Sequence, residues 1–133
     1  MKYLLDTHVW IWTLLDHPRL SRRARGIVTT ASASEPLGLA AISLKEASWL
    51  LAHGRVKVSA AEWSDWLREA AAAPGLEILP LTVDIAVESE RLPKSFPADP
   101  ADRLIAATAK VHGLALLTAD RTLRASRAVP TAW

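Results

Sequence analysis

A chain of 133 residues, half of them apolar, has the length of one domain and enough apolar side chains for a hydrophobic core, which excludes a disordered protein. The chain has no cysteine, which excludes disulfides and thiolate metal sites. The net charge of +2 is uneven, because residues 1–58 carry +4, residues 59–100 carry −5 and residues 101–133 carry +3. Basic ends suit nucleic acid, although a mixed solvated surface explains the same pattern.

The amino-terminal residues are apolar, but Asp6 and His8 interrupt them and no small-residue cleavage site follows. They therefore do not resemble a signal peptide. No apolar run has the length of a membrane span. We expect a soluble, cytoplasmic protein with a single domain over residues 1–133.

The first part of the chain predicts a strand followed by two helices. Residues 2–5 are apolar and end at an acid, as a buried strand would. Thr7 is expected to cap a helix that ends before Pro18. Residues 21–34 predict a basic helix.

The middle of the chain repeats this alternation. Residues 37–42 predict a second strand, and Ser43 is expected to open a helix that ends at Gly54. Residues 60–73 predict a further helix, and residues 77–81 a third strand.

The last part predicts two helices and a fourth strand. Thr82 is expected to cap a helix to Leu92, and three prolines make residues 93–100 a loop. Residues 100–112 predict a helix, residues 114–118 a strand, and a basic tail follows. Short, continuously apolar strands that alternate with helices indicate an α/β fold, with a parallel sheet covered on both faces.

Four acidic residues fall near the ends of predicted strands. Asp6 follows the first strand and Glu46 lies one turn into the helix after the second. Asp102 lies in the first turn of the last long helix, and Asp120 lies just past the fourth strand. Because the carboxyl ends of parallel strands share one edge of a sheet, the four side chains can converge there.

Each acid, taken singly, also has a structural interpretation. The S-x-x-E sequence from Ser43 to Glu46 is a capping box, in which the glutamate satisfies a backbone N–H. Asp99 is an N-cap that precedes a proline at the first helical position. Asp6 and Asp120 can cap the segments that follow them. Capping explains each acid but does not require that they meet.

Convergence of the four acids would have a chemical consequence. Two carboxylates about 4 Å apart repel each other by about 4 kcal/mol at an effective dielectric constant near 20. Such a cluster persists only with protons or a cation, and an all-oxygen ligand set suits Mg²⁺ or Mn²⁺. A cation of this kind activates water and stabilises charge on phosphorus, so the natural substrate is a phosphodiester.

The motifs of the chain resemble a known family. L-L-D-T-H-V-W, I-S-x-x-E, D-P-x-D-R-L-I-A-A-T-A and L-L-T-x-D occur in that order over residues 4–120. They resemble the PIN-domain ribonucleases, in particular the VapC-type toxins of toxin–antitoxin systems. The resemblance implies a three-layer α/β/α sandwich with a short central parallel sheet. It also implies a Mg²⁺- or Mn²⁺-dependent endoribonuclease that acts on RNA, forms a homodimer and is inhibited by a cognate antitoxin.

The resemblance implies site residues at matching positions. Asp6, Glu46, Asp102 and Asp120 match the acidic quartet that holds the metal, with Asp6 and Asp102 as its direct ligands. Thr118 matches a hydroxyl residue that holds the acids by hydrogen bonding.

Other residues near these motifs have two interpretations each. Arg103 can contact a substrate phosphate or form a structural ion pair. Arg22 and Arg23 can contact the RNA backbone or form a solvated face. For Asp99 we favour the N-cap over a site acid, and for His8 we favour packing over substrate contact.

The tryptophans predict a second feature. Trp63, Trp66 and Leu67 share one face of a helix, and with Trp49 and Leu50 they can form an apolar groove. Core packing explains such a stripe, and so does a groove that binds a helix of the antitoxin.

The alternative to an enzyme is a non-enzymatic RNA- or protein-binding module of the same fold. A phospho-accepting receiver domain is disfavoured, because the chain has one acid, Asp6, at the end of its first strand and no lysine after its last. Binding of Mn²⁺ discriminates the two functions, since an acidic quartet requires the ion and a binding module does not.

Overall fold

The computed structural model describes all 133 residues and contains a five-stranded, wholly parallel sheet in the order β3-β2-β1-β4-β5. The strands are β1 (Tyr3–Leu5), β2 (Leu37–Ala40), β3 (Leu76–Leu79), β4 (Ala115–Leu117) and β5 (Thr131–Ala132). The predicted α/β fold with a parallel sheet is confirmed.

Seven helices flank the sheet. They are α1 (Thr7–Leu14), α2 (Arg22–Thr29), α3 (Ala41–Ala52), α4 (Trp63–Ala71), α5 (Val83–Arg91), α6 (Pro100–His112) and α7 (Arg121–Ser126). None of these helices combines the length and the hydrophobicity that a membrane-spanning helix requires.

Two hydrophobic clusters of 12 buried residues each lie on opposite faces of the sheet. Because side chains alternate along a strand, Leu4 and Leu116 belong to one cluster while Leu5 and Leu117 belong to the other. The first cluster includes residues of α6 and α7, and the second includes residues of α1 to α4. The result is the three-layer α/β/α sandwich that the family resemblance implied.

The register of the strands places their carboxyl ends at one edge. Leu5 of β1 lies opposite Leu39 of β2 and Leu117 of β4. Helices α1 and α3 begin immediately after β1 and β2, and the turn before α7 follows β4. Side chains at these three junctions therefore share one edge, as the sequence predicted for Asp6 and Asp120.

The end of the chain differs from the prediction of four strands and a basic tail. The tail forms α7 and β5, and β5 pairs with β4 through Leu116–Thr131 and Leu117–Ala132. A two-residue strand is too short to show hydrophobic periodicity, so only pairing with β4 reveals it.

The starts of α1 and α3 differ from the first expectations. Asp6, the other cap that the sequence allowed, caps α1 instead of Thr7, because its side chain accepts the Thr7 N–H at 2.9 Å. The capping box at Ser43 does not form, because α3 already begins at Ala41. Helices α2 and α4 occur as predicted but are shorter than residues 21–34 and 60–73.

Three other helix boundaries are confirmed. Thr82 caps α5 by accepting the Ile85 N–H at 3.2 Å, and Asp99 caps α6. Gly113 ends α6 with φ of 66°, a left-handed conformation that glycine adopts without steric cost.

We expect Leu123→Ala in α7 to lower the free energy of unfolding by about 2–5 kcal/mol, because a fully buried leucine leaves a cavity when it is truncated. Leu123 is 1 % exposed and belongs to the first hydrophobic cluster. The exposed neighbour Thr122 provides the matched control, Thr122→Ala. Urea denaturation measures both variants, and equal stabilities would contradict the packing of α7 on the sheet.

Candidate active site at the carboxyl edge of the sheet

Asp6 is the most buried acid of the edge, with 4 % of its surface exposed. Its Oδ1 accepts the Thr7 N–H at 2.9 Å, and its Oδ2 accepts the Thr118 hydroxyl proton at 2.7 Å. A buried carboxylate is costly unless hydrogen bonds replace its hydration. Both oxygens of Asp6 have such a bond, so the side chain is held in one orientation.

Thr118, the residue after β4, joins two of the acids. It is fully buried, donates to Asp6 and accepts the Asp120 N–H at 3.1 Å. Its own N–H donates to the Ala132 carbonyl of β5 at 3.1 Å. The hydroxyl therefore has the contacts that the positioning role expected from the family resemblance requires.

Glu46 is bound to α1 instead of capping its own helix. Thr7 Oγ1 lies 2.5 Å from Glu46 Oε1 and 2.8 Å from the buried Ser43 Oγ. A hydroxyl has one proton and a carboxylate can only accept, so Thr7 donates to Glu46 and receives the proton of Ser43. The S-x-x-E sequence thus serves a contact between α1 and α3.

Asp99 and Asp120 act as helix caps at the rim of the site. Asp99 Oδ2 accepts the Asp102 N–H at 3.2 Å, as predicted. Asp120 Oδ1 accepts the Thr122 and Leu123 N–H groups at 2.8 and 3.1 Å, at the start of α7. The Asp102 carboxylate, in contrast, accepts no hydrogen bond within the protein.

Crowding of negative charge changes the acidity of two carboxyl groups. Burial, followed by the charges of Asp99, Asp6, Glu46 and Asp120, raises the pKa of Asp102 from 3.8 to about 7. Burial also raises the pKa of Glu46; the hydrogen bond from Thr7 opposes this shift, whereas the charges of Asp6 and Asp99 add to it. The structure therefore brings the other three predicted acids, and Asp99, within electrostatic reach of Asp102.

The acids are near one another but do not form a closed coordination cage. No three His, Cys, Asp or Glu side chains converge closely enough to hold one ion. The donors are nonetheless all carboxylate oxygens, the ligand type that hard divalent cations prefer. Magnesium ordinarily binds through one or two carboxylates and keeps several waters, so the donor set fits such an ion without a cage of three.

His8 has a structural role beside Asp6. Its Nε2 accepts the Ala119 N–H at 3.2 Å, which places the proton of the neutral ring on Nδ1. That Nδ1 lies 3.5 Å from Asp6 Oδ2, and the ring packs edge-on against Trp12 at 4.9 Å. The predicted packing role is confirmed. The contact with Asp6 was missed, although the D-x-H spacing at the start of a helix was a signal for it.

The predicted arginines lie in different places. Arg103 follows Asp102 on α6, and its guanidinium lies over the Phe96 ring at 5.8 Å. Its Nη1 is buried without a hydrogen-bond partner, and no carboxylate lies within ion-pair distance, so the structural ion pair is not formed. Arg22 and Arg23 begin α2, and Arg23 lines a cavity with Lys2, at the amino end of the sheet. The structure therefore does not bring Arg22 and Arg23 close to the acids.

The predicted groove between Trp49, Trp63 and Trp66 is wrong as a single surface. Trp49 lines a cavity of about 510 Å³ together with Glu46 and Asp99. Trp66 lines a separate cavity with Leu14. The helical stripe alone does not specify which neighbour each indole faces, because that depends on how α3 and α4 pack.

Known proteins resemble the chain along almost its whole length. The sequence profile described as PIN domain matches residues 3–128. Ribonuclease VapC22 of Mycobacterium tuberculosis is 40% identical over 124 residues, which cover 93% of this chain and 91% of that protein.

Solved structures resemble the fold. FitAcB from Neisseria gonorrhoeae has a TM-score of 0.67 and 26% identity, and covers 97% of this chain and 95% of that one. A toxin–antitoxin complex from Klebsiella pneumoniae contains a chain with a TM-score of 0.68 and 20% identity, covering 99% of this chain and 97% of that one.

We expect Thr118→Val to lower the free energy of unfolding by about 1–3 kcal/mol, because Asp6 loses a buried donor and the Asp120 N–H loses its acceptor. Thr118→Ser keeps the hydroxyl and is the control. Urea denaturation at neutral pH compares the two, and a valine variant as stable as the serine variant would show that the hydroxyl contributes nothing.

The raised pKa of Asp102 predicts a pH-dependent stability. Below pH 3.8 the Asp102 carboxyl is protonated in both the folded and the unfolded state. Near pH 7 and above it ionises in both states, but only in the folded state does ionisation cost additional free energy. Wild-type protein in EDTA should therefore lose stability as the pH rises from about 4 through 7. Asp102→Asn should raise Tm by a few degrees at pH 8 and little at pH 4, with the exposed Asp84→Asn as control. An equal change of Tm at both pH values would contradict the raised pKa of Asp102.

Proposed function

The chain belongs to the PIN-domain family, and we propose that it is a metal-dependent endoribonuclease that hydrolyses RNA phosphodiester bonds. The observation that carries this proposal is the set of carboxylates around Asp102, whose charges add to the effect of burial and raise the pKa of that group to about 7. Such crowding lowers stability, and a site that binds a cation at this edge explains why the acids are placed together.

Asp6 and Asp102 would hold the metal directly, with Glu46 and Asp120 beside them. Asp6 is held rigidly by Thr118 and the Thr7 N–H, whereas the Asp102 carboxylate has no hydrogen bond to lose. A bound Mg²⁺ or Mn²⁺ would supply an activated water and stabilise negative charge on the phosphate. The cation would also take the place of the proton that Asp102 otherwise retains at neutral pH.

The proposed contacts with the RNA substrate are made by arginine side chains. Arg103 lies next to Asp102 on α6 and has no carboxylate partner, which supports a contact of its guanidinium with an RNA phosphate. Because α2 is remote from the acids, Arg22 and Arg23 would contact only RNA that extends past the active site.

We further propose that the protein is the cytoplasmic toxin of a type II toxin–antitoxin pair. The 40% identity to a ribonuclease named VapC22 supports this role. The chain would then have a cognate antitoxin as its partner and act as a homodimer. Leu81, Val83 and Val87, exposed by 59%, 79% and 42%, provide apolar surface around the start of α5 for such contacts.

The test uses purified protein and single-stranded RNA with Mg²⁺, Mn²⁺ or EDTA. Wild-type protein should cleave only with a divalent ion, and Asp6→Asn and Asp102→Asn should each lower the cleavage rate by about 100-fold or more. Asp84→Asn, at an exposed acid of α5, is the charge-matched control and should cleave normally. Circular dichroism verifies that all variants are folded.

Two results would contradict the proposal. Cleavage at the wild-type rate by both Asp6→Asn and Asp102→Asn would show that these acids do not bind a catalytic metal. RNA binding without cleavage under any divalent ion would instead favour the non-enzymatic binding module. Expression from an inducible promoter tests the toxin role separately, since wild-type protein should arrest growth and Asp6→Asn should not.

A further inference from the structure

An exposed indole lies beside the acidic site. Trp49 of α3 is 44% exposed, although most large apolar side chains of the protein are buried. His53 stacks on the indole with ring centroids 4.3 Å apart and an interplanar angle of 20°. The Arg55 guanidinium lies 5.8 Å from the ring centroid. We refer to Lys45, Trp49, His53 and Arg55 as the Trp49 surface.

Two residues of the Trp49 surface, Lys45 and Trp49, line one cavity with two of the acids, Glu46 and Asp99. The volume of this cavity is about 510 Å³. Trp49 follows Glu46 by three residues on α3, so the two side chains are neighbours on one helix face. A molecule that contacts the indole in this cavity therefore also lies next to Glu46 and Asp99.

The positive charges of the Trp49 surface have no carboxylate partner. Lys45 and Arg55 are exposed, and neither lies within 4.0 Å of a carboxylate oxygen in an ion pair. The other arginine exposed on a nearby helix, Arg68 of α4, is paired with Asp65 at 3.1 Å. Two cations without a carboxylate partner thus lie on the same surface as an indole that is 44% exposed and has His53 stacked on it.

We infer that the Trp49 surface is a nucleotide subsite, in which an unpaired RNA base next to the cleaved bond stacks on Trp49 while Lys45 and Arg55 hold its phosphates. Proteins that bind single-stranded RNA combine aromatic rings for the bases with cations for the backbone. The inference rests on the proposed ribonuclease function and adds the class of substrate, an unpaired strand.

The same observations disfavour a protein helix as the occupant. A helix with an apolar face would cover Trp49, but it would need additional acidic side chains to balance Lys45 and Arg55. Each nucleotide of RNA carries a base and a phosphate, so a single ligand supplies both a π-face and counter-charges.

Binding is measured apart from cleavage. Fluorescein-labelled 12-nucleotide single-stranded RNAs, homopolymers and a mixed sequence, are titrated with protein in EDTA and followed by anisotropy. Trp49→Ala should weaken binding by about 5- to 150-fold, the range for the loss of one stacked base, whereas Trp49→Phe should retain most of the affinity. An RNA duplex of the same sequence should bind with equal affinity to wild-type protein and Trp49→Ala.

Charge variants test the role of the cations. Lys45→Gln and Arg55→Gln should each weaken binding and reduce its dependence on salt. Arg68→Gln removes one equal charge from α4 and is the matched control, for which both quantities should stay unchanged.

A cleavage assay locates the stacked base. RNAs that carry one abasic nucleotide at successive positions around the cleaved bond are compared between wild-type protein and Trp49→Ala with Mn²⁺. At the stacked position, loss of the base should raise KM for wild-type protein and not for Trp49→Ala, because the interaction is already absent in the variant.

The outcomes separate the inference from the proposed function. Equal RNA affinity of wild-type protein and Trp49→Ala, with cleavage intact, would overturn the subsite and assign this face to a protein occupant, while the ribonuclease function would stand. A wild-type protein that neither binds nor cleaves RNA would overturn both.

Discussion

The buried Asp6 carboxylate is the interaction on which the carboxyl edge of the protein depends. It lies at the end of β1, caps α1 and accepts the hydroxyl proton of Thr118 from the end of β4. An ionised group with 4 % exposure is tolerable only because both oxygens are hydrogen-bonded. The two strands and the helix must therefore keep their relative positions if this charge is to remain satisfied.

The remaining acids are concentrated around that fixed point by the parallel sheet. Asp6 and Thr118 directly follow β1 and β4, α3 after β2 carries Glu46, and α6 adds Asp102 and Asp99. Most proteins avoid such crowding because like charges destabilise the folded state. Local conflicts of this kind are expected where function, not stability, determines the residues.

Helix α3 connects the acids to the protein surface. Ser43 is fully buried, Glu46 three residues later is half-buried, and Trp49 after a further three residues is 44% exposed. Residues three apart are neighbours on a helix, so successive steps along α3 lead from the core past Glu46 to an exposed ring. The proposed catalytic acid and the proposed base-stacking ring would thereby lie on one helix, which limits their relative motion.

The sequence by itself determined the alternation of strands and helices, the caps at Thr82 and Asp99, the stop at Gly113 and the family motifs. These features depend on residues a few positions apart, whose preferences act locally. Only the tertiary structure decided that Thr7 binds Glu46, that β5 forms and that Trp49 and Trp66 line separate cavities. These features depend on groups far apart in the chain, such as Thr118 and Asp6, which are 112 residues apart. Packing of the helices on the sheet brings such groups together, and local preferences do not encode that packing.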